Sequence, residues 1–414
     1  MFIKLASKSL RHRKGSVILA VIALTVSVFT LLAVEHIRSQ AKQSFSKSVS
    51  GVDLIVGART GSLNLLLYSV FHVGSPTNNI SWPSYQKIKN HSQVDWAIPI
   101  SLGDSHKGYR VMGTSQAFFE KFSYGDKHPL SFKQGWAFEQ VFDVVLGAEV
   151  AKALGYSLND TLVLSHGLAS TSFSRHDDHP FTVVGVLEPT GTPIDQTLHV
   201  SLEGIEAIHV GWQHGIKMPG QAIRAEQAAK IDFTPKSITA FMLGLTSRIS
   251  TFRVQRDINN YSKEPMSAIL PGVALSELWQ MMGIIENILM LIAALVFIAA
   301  LLGLSAMLLS SLRERTNEIR LLRVIGAPPI YLFFLIEFEI IIITLLSLIF
   351  GFILLWLSIV VAQDFLISQF GLFISGNVLS KTTALFSLGI IGASLIIGAI
   401  PSLGAYFKAK HHSR

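Results

Sequence analysis

The sequence predicts an α-helical membrane protein with four transmembrane helices plus an α+β extracytoplasmic domain inserted between spans 1 and 2. Three observations predict it. Four long apolar runs each reach the roughly 20 residues that a helix needs to cross a bilayer. Between the first two lies a polar stretch, residues 38–275, in which short β-type runs alternate with short helical candidates. The composition, 50% hydrophobic and only 15% charged, falls well below the quarter or so of charged residues usual in soluble domains.

Residues 1–14 read as a cytoplasmic amphipathic helix in the lipid headgroup layer. Lys4, Lys8, Arg11 and Lys14 line one side, and Phe2, Ile3, Leu5, Ala6 and Leu10 fill much of the rest. Residues 15–37 form span 1. Glu35-His36-Ile-Arg38 follows where small residues would mark cleavage, so the segment reads as a retained signal anchor. Span 2 occupies 276–312 with an extension beyond the bilayer, Trp279 lying near the interface. A charged cytoplasmic segment covers 313–329, span 3 covers 330–362, and an outer loop covers 363–381. Span 4, 382–407, offers Gly389, Gly392, Ala393, Gly398 and Ala399 as a small-residue packing face, and 408–414 is a cytoplasmic tail. Glu337 and Glu339 stand near the start of span 3. Carboxylates this close to the interface reach water or pair with an arginine.

The net charge of +7 does not point to nucleic acid. Much of the basic excess sits beside spans, at Lys4–Lys14, Arg313–Arg323 and Lys408–Arg414, where it places both termini and the 313–329 segment on the cytoplasmic side. Cysteine is absent. Disulfides, thiolate metal sites and cysteine nucleophiles are therefore excluded.

Within 38–275 the strand candidates are Val52–Gly57, Tyr109–Gly113, Asp143–Gly147, Thr161–Leu164, Phe181–Leu187 and Leu198–Ser201. Helical candidates include Ser84–Asn90, Gln116–Phe122, Ala148–Leu154 and Leu202–His209. Residues 211–245 carry no assignable pattern.

The segment around which the chain is organised is Arg313-Glu-Arg-Thr-Asn-Glu-Ile-Arg-Leu-Leu-Arg-Val-Ile-Gly-Ala-Pro-Pro329. Read as a helix, it aligns Arg315, Ile319, Leu322 and Ile325/Gly326 on one stripe, away from Arg313, Glu314, Asn317 and Arg320. Gly326 supplies a left-handed C-cap, and Pro328-Pro329 stops continuation. This word order closely resembles the segment after the second span in ABC permeases of the FtsX/MacB/LolC superfamily: an Arg, a Glu-Ile pair, a basic residue, an apolar pair and Gly-Ala. Residues Val145–Leu164 followed by Phe181–Leu187 resemble the MacB-type periplasmic domain, with its small helix, Gly turn, strand, variable loop and Gly-ending strand. Phe334-Leu-Ile-Glu337 with Gly351 resembles the family's third span. The chain departs from the pattern there, carrying Ile340–Ile343 where relatives are richer in glycine.

The resemblance implies a non-catalytic permease subunit in a bacterial inner membrane. Its helix would couple to a separate ABC ATPase through Arg313, Arg315, Glu318, Ile319, Arg320, Leu322, Arg323, Gly326 and Ala327. Arg315, Glu318, Arg320 and Arg323 would make the polar contacts, and Ile319 and Leu322 the buried ones. ATP and Mg would belong to that partner, with no cofactor on this chain. Further implied partners are a second permease copy or paralogue, a periplasmic adaptor or substrate-carrier protein, and membrane lipid. Motion would pass through span 2 to the outer domain, to export or extract a lipoprotein, peptide or amphiphile. The alternative within the family is an FtsX-like signalling regulator of a periplasmic enzyme.

Chemical motifs are few. No Gly-x-x-x-x-Gly-Lys-Ser/Thr phosphate loop, Gly-x-Ser-x-Gly elbow or His-Glu-x-x-His pair occurs. The one candidate metal cluster is His176, Asp178 and His179, with His166, His199, His209 and His214 elsewhere in the domain. It is the sole support for a third reading, a zinc-linked membrane system. Pro180 follows at once and favours an extended polar loop, so no metal is assigned.

Overall fold

The computed structural model describes residues 13–166, 179–210, 212–213, 216–217, 233–314, 326–370 and 376–411. The chain divides into two compact units. One comprises 1–40, 282–363 and 374–414, and the other 41–281 and 364–373.

The first unit is helical. Its helices are α1 (Lys14–Lys47), the later part of α8 (Pro271–Glu314), α9 (Pro329–Phe370) and α10 (Lys381–His411). All four are long and apolar enough to cross a membrane. Their outward faces are apolar, with Leu19, Leu291, Val361 and Ile396 each more than half exposed, as expected of surfaces solvated by lipid. Two helices outrun the predicted spans. α1 persists to Lys47 because nothing from Glu35 onward breaks it before Gly51, whose φ is +77°. α9 continues to Phe370, through the first part of the expected outer loop, because Asp364–Phe370 contains neither Gly nor Pro.

Close packing uses few small residues. A Cβ on Gly351 would lie 2.9 Å from Val28 Cγ1, and one on Gly398 would lie 2.2 Å from Ile340 Cδ1. So the lone glycine of span 3 packs on α1, and α10 packs on α9 through Gly398. Gly389 and Gly392 face open space instead. The Ser347 hydroxyl donates to the Val21 carbonyl (3.3 Å), and the Ser305 hydroxyl to the Ile397 carbonyl (3.4 Å).

The second unit is the α+β domain. Its elements are β1 (Leu54–Ala58), α2 (Ser62–Val70), α3 (Trp82–Lys89), β2 (Val94–His106), β3 (Tyr109–Thr114), α4 (Ala117–Lys121), β4 (Phe132–Gly135), β5 (Asp143–Leu146), α5 (Ala148–Leu154), β6 (Phe181–Leu187), β7 (Thr197–Ser201), α6 (Leu202–His209), β8 (Ala240–Leu245), α7 (Thr251–Asn259) and β9 (Met266–Ile269). The strands follow the order β9-β1-β8-β2-β3-β7-β5-β6-β4. The long strand β2 joins two halves. Val94 to Ile100 pair with β8, and Ser101 to His106 pair with β3 across a register shift.

Alternation along the strands sorts side chains to two faces. Leu54, Val56, Phe241, Leu243, Met266 and Ala268 face α3 and α7, meeting Tyr85, Ile88, Val254 and Ile258. Ile55, Met242 and Ile269 face the other way, toward Leu65 and Leu66 of α2. In the second half, Val144, Leu146, Val183, Leu198 and Val200 pack against Val150 of α5 and Ile205 and Ile208 of α6. The first turns of α8 belong to this domain, with Ala274 and Leu275 buried in its core.

Two glycines allow close backbone approaches. A Cβ on Gly147, where β5 enters α5, would stand 2.3 Å from the Ile194 carbonyl oxygen. One on Gly185, inside β6, would stand 2.3 Å from the Trp136 carbonyl oxygen.

Candidate functional site

The charged segment after span 2 lies between two helices in the chain. α8 runs to Glu314 and includes Arg313. Gly326 is exposed with φ +95°, the left-handed conformation expected of a C-cap. α9 then begins at Pro329, which needs no N–H partner at a first helical position. Ala327 lies in the short link between them. Arg315, Glu318, Ile319, Arg320, Leu322 and Arg323 lie outside the described residues, so the helical reading of 315–325 stays an expectation.

Three sequence-distant residues meet beside these ends. The Arg13 guanidinium donates to Glu339 Oε2 at 2.8 Å and also to the Ser311 hydroxyl. The Arg13 and Glu339 side chains are 11% and 1% exposed. One residue before α1, the last turn of α8 and the third turn of α9 are therefore tied into one buried polar knot. Glu339 thus pairs with an arginine, as its position in the sequence suggested. Glu337 is also buried, with the Ser402 hydroxyl beside its carboxylate. That hydroxyl also lies 2.9 Å from the Gly398 carbonyl oxygen, to which it donates.

A second charged cluster marks the opposite level of the helical unit. Arg38 stands 3.2 Å from Glu286 and 3.4 Å from Glu35. Between Arg13 and Glu35 the rise of 1.5 Å per residue gives about 33 Å along α1. Between Glu286 and Ser311 it gives about 37 Å along α8. Both lengths are close to the roughly 30 Å of a bilayer's hydrocarbon core with a margin of headgroup. The described charges of these two helices thus bracket an apolar slab.

The histidines of the outer domain do not assemble into a metal centre in the described residues, which hold no group of three or more donors. His176 and Asp178 lie outside the described residues. His179 is buried and stacked on Phe142, ring centroids 5.4 Å apart. His199 is fully buried against Phe118 (5.2 Å). Burial first, and then the neighbouring His72, lowers its pKa to about 3. His72 bonds through Nδ1 to the Thr197 hydroxyl at 2.9 Å. That hydroxyl donates to the Pro193 carbonyl (3.0 Å), which leaves His72 Nδ1–H as the donor. Burial and then Arg110 lower the His72 pKa to about 4. Both rings are neutral at neutral pH; His199 lies in the core, and His72 is partly buried beside it. Sequence reading grouped His199 with the metal candidates; its central strand position and flanking apolar residues were the sign of a core role.

An open cavity of about 640 Å³ lies between α5 and the Pro189–Gln196 turn. Asp195 in its wall accepts from the Thr190 N–H (2.9 Å) and the Gly191 N–H (2.8 Å), so that carboxylate is committed to holding the turn. On either side of the charged segment the described residues are the last turn of α8, tied to Arg13 through Ser311, and the start of α9, tied to Arg13 through Glu339.

The family model described as MacB-like periplasmic core domain matches residues 16–260. A second model, FtsX-like permease C-terminal, matches residues 290–409. Among solved structures, the chain is similar to the periplasmic region of MacB from Actinobacillus actinomycetemcomitans. The identity is 11% and the TM-score 0.35, over 56% of this chain and 94% of that one. It is also similar to the extracellular domain of the noncanonic ABC-type transporter YknZ from Gram-positive bacteria, at 10% identity and TM-score 0.31, over 53% and 98% of the two chains. No curated protein matches the chain in sequence.

Proposed function

The chain belongs to the FtsX/MacB-like family of ABC-transporter permeases, and from that premise we propose that it transmits force from a partner ATPase to its outer domain. Permeases of this family work with an ABC ATPase and are generally non-catalytic. In this reading residues 313–327 seat on the ATPase, with Arg315, Glu318, Arg320 and Arg323 making polar contacts and Ile319 and Leu322 buried. ATP and Mg stay on the partner.

One observation carries the mechanical part. α8 is a single helix of 44 residues, about 66 Å of axial rise. Ala274 and Leu275 at its start are built into the core of the outer domain. Ser311 in its last turn is built into the Arg13–Glu339 knot. Beyond Pro271 it contains no proline, the residue that most often breaks or kinks a helix. A displacement imposed at residues 313–327 then has a continuous helix to follow. Two permeases, like or unlike, close together as their ATPases bind ATP. The outer domains act on a lipoprotein, peptide or amphiphile on the far side of a bacterial inner membrane, with both termini cytoplasmic.

Co-purification tests this reading. Tagged wild-type protein from membranes brings down an ABC ATPase, and the Glu318→Ala/Arg320→Ala/Leu322→Ala variant at equal expression does not. Recovery of no ATPase with either protein would sink the assignment.

A further inference from the structure

We propose that the tip formed by Ile249 and Phe252 on the outer domain is a docking point for an acidic segment of a partner protein. The tip lies in the crossover between β8 and β9. Both strands pair antiparallel with β1, so they run parallel to each other, and α7 connects them across one face of the sheet. The core side of α7 is fully used: Thr251, Val254 and Ile258 are 6%, 1% and 3% exposed. The turn before it, Arg248–Ser250, is pinned by its own hydrogen bonds. The Ser250 hydroxyl donates to the Ser247 carbonyl (2.6 Å), and the Thr251 hydroxyl to the Arg248 carbonyl (2.8 Å).

On this fixed base two large apolar side chains point outward. Ile249 is 93% exposed and Phe252 is 68% exposed. Spaced i, i+3 around the helix start, they form a pair of adjacent knobs. Arg248, Arg253 and Arg256, all exposed, lie within a few residues of them in the chain, and the first acidic residue after Thr246 is Asp257, 4.0 Å from His91. An exposed aromatic with arginines close by in the chain, and lysine absent, is the composition enriched at the centres of protein interfaces. Guanidinium groups bind carboxylates bidentately, so the complementary surface is acidic. An anionic bilayer also attracts arginine. An amphipathic helix lying in the bilayer interface presents an apolar face along its length, whereas that of α7 is buried in the domain core. Two knobs and three arginines suit a protein groove better. This surface does not depend on the ATPase assignment.

Site-specific photo-crosslinking in intact cells tests the proposal, with benzoylphenylalanine at Ile249 or Phe252 of the full chain and adducts mapped by mass spectrometry. The expected result is one protein segment, rich in Asp and Glu, joined to both positions and reduced at least tenfold by Arg248→Glu/Arg253→Glu. The substituted residues are exposed, so folding is kept, and the same crosslinker at exposed Lys107 gives the background. An adduct with lipid, with a second copy of this chain, or with a segment lacking carboxylates overturns it, as does labelling equal to background. A crosslink from Leu322 to an ATPase in the same cells separates failure here from failure of the permease reading.

Discussion

Arg13 and Glu339 stand 2.8 Å apart although 326 positions separate them in the chain. Their side chains are almost entirely removed from solvent, so each carries the cost of ion burial and relies on the other to offset it. Removing one partner leaves an uncompensated buried charge, an effect of about 3–5 kcal/mol. Arg13→Met and Glu339→Met are each expected to lower the unfolding temperature of the purified protein sharply. The double variant, which buries no lone charge, is expected to recover part of the loss. Additive losses in this double-mutant cycle would show that the pair is not coupled.

Gly147 and Gly103 make opposite demands. A methyl group at Gly147 meets the backbone oxygens of Ile194 and Asp195 at 2.3 and 2.5 Å, which cannot rotate away. Gly147→Ala is expected to cost roughly 1–3 kcal/mol or more by overpacking. Around Gly103 nothing lies within 4 Å, and Gly103→Ala is expected to be near neutral. Denaturant titrations of the two variants check the contrast, and equal midpoints would contradict the close approach at the α5 entrance.

Acid stability follows from His199. Its folded pKa of about 3 lies below the usual 6.5, so the unfolded chain takes up a proton before the folded one does. Its contribution is complete above about pH 6.5 and is lost as pH falls toward 3, at most on the order of 5 kcal/mol. His72 adds a loss in the same direction, toward about 4. Substituting His199→Leu removes one titrating ring and keeps the site apolar. The unfolding temperature of that variant is expected to fall less than wild type between pH 7 and pH 4. Parallel pH curves would contradict the buried neutral assignment.

The four spans and their order were legible because uncharged runs longer than a bilayer need no tertiary context. Several outer-domain elements were legible for a local reason too. The β5-Gly147-α5 passage and β6 with Gly185 carry turn glycines inside short apolar runs. Other elements were not. β2 holds Pro99 and Gly103 within one long strand, which breaks the local pattern. β8, Ala-Phe-Met-Leu-Gly-Leu, is buried on both faces and shows no alternation. The polar knot was legible only in part. Glu339 was expected to reach water or pair with an arginine, but Arg13 and Ser311 reach it through helix packing that no local pattern encodes. In the outer domain, counting histidines suggested ligands, whereas His179 and His199 stack on Phe142 and Phe118.

The central claim is that residues 313–327 touch the ATP-hydrolysing partner, and a crosslink reads that contact directly. Benzoylphenylalanine at Leu322 of the full-length protein, irradiated in native membranes, is expected to give an adduct with an ABC ATPase. Glu318→Ala/Arg320→Ala in the same chain is expected to weaken that adduct. The same probe at Lys107 in the outer domain is expected to give none. Absence of the ATPase adduct at Leu322, with the ATPase present in those membranes, would contradict the account.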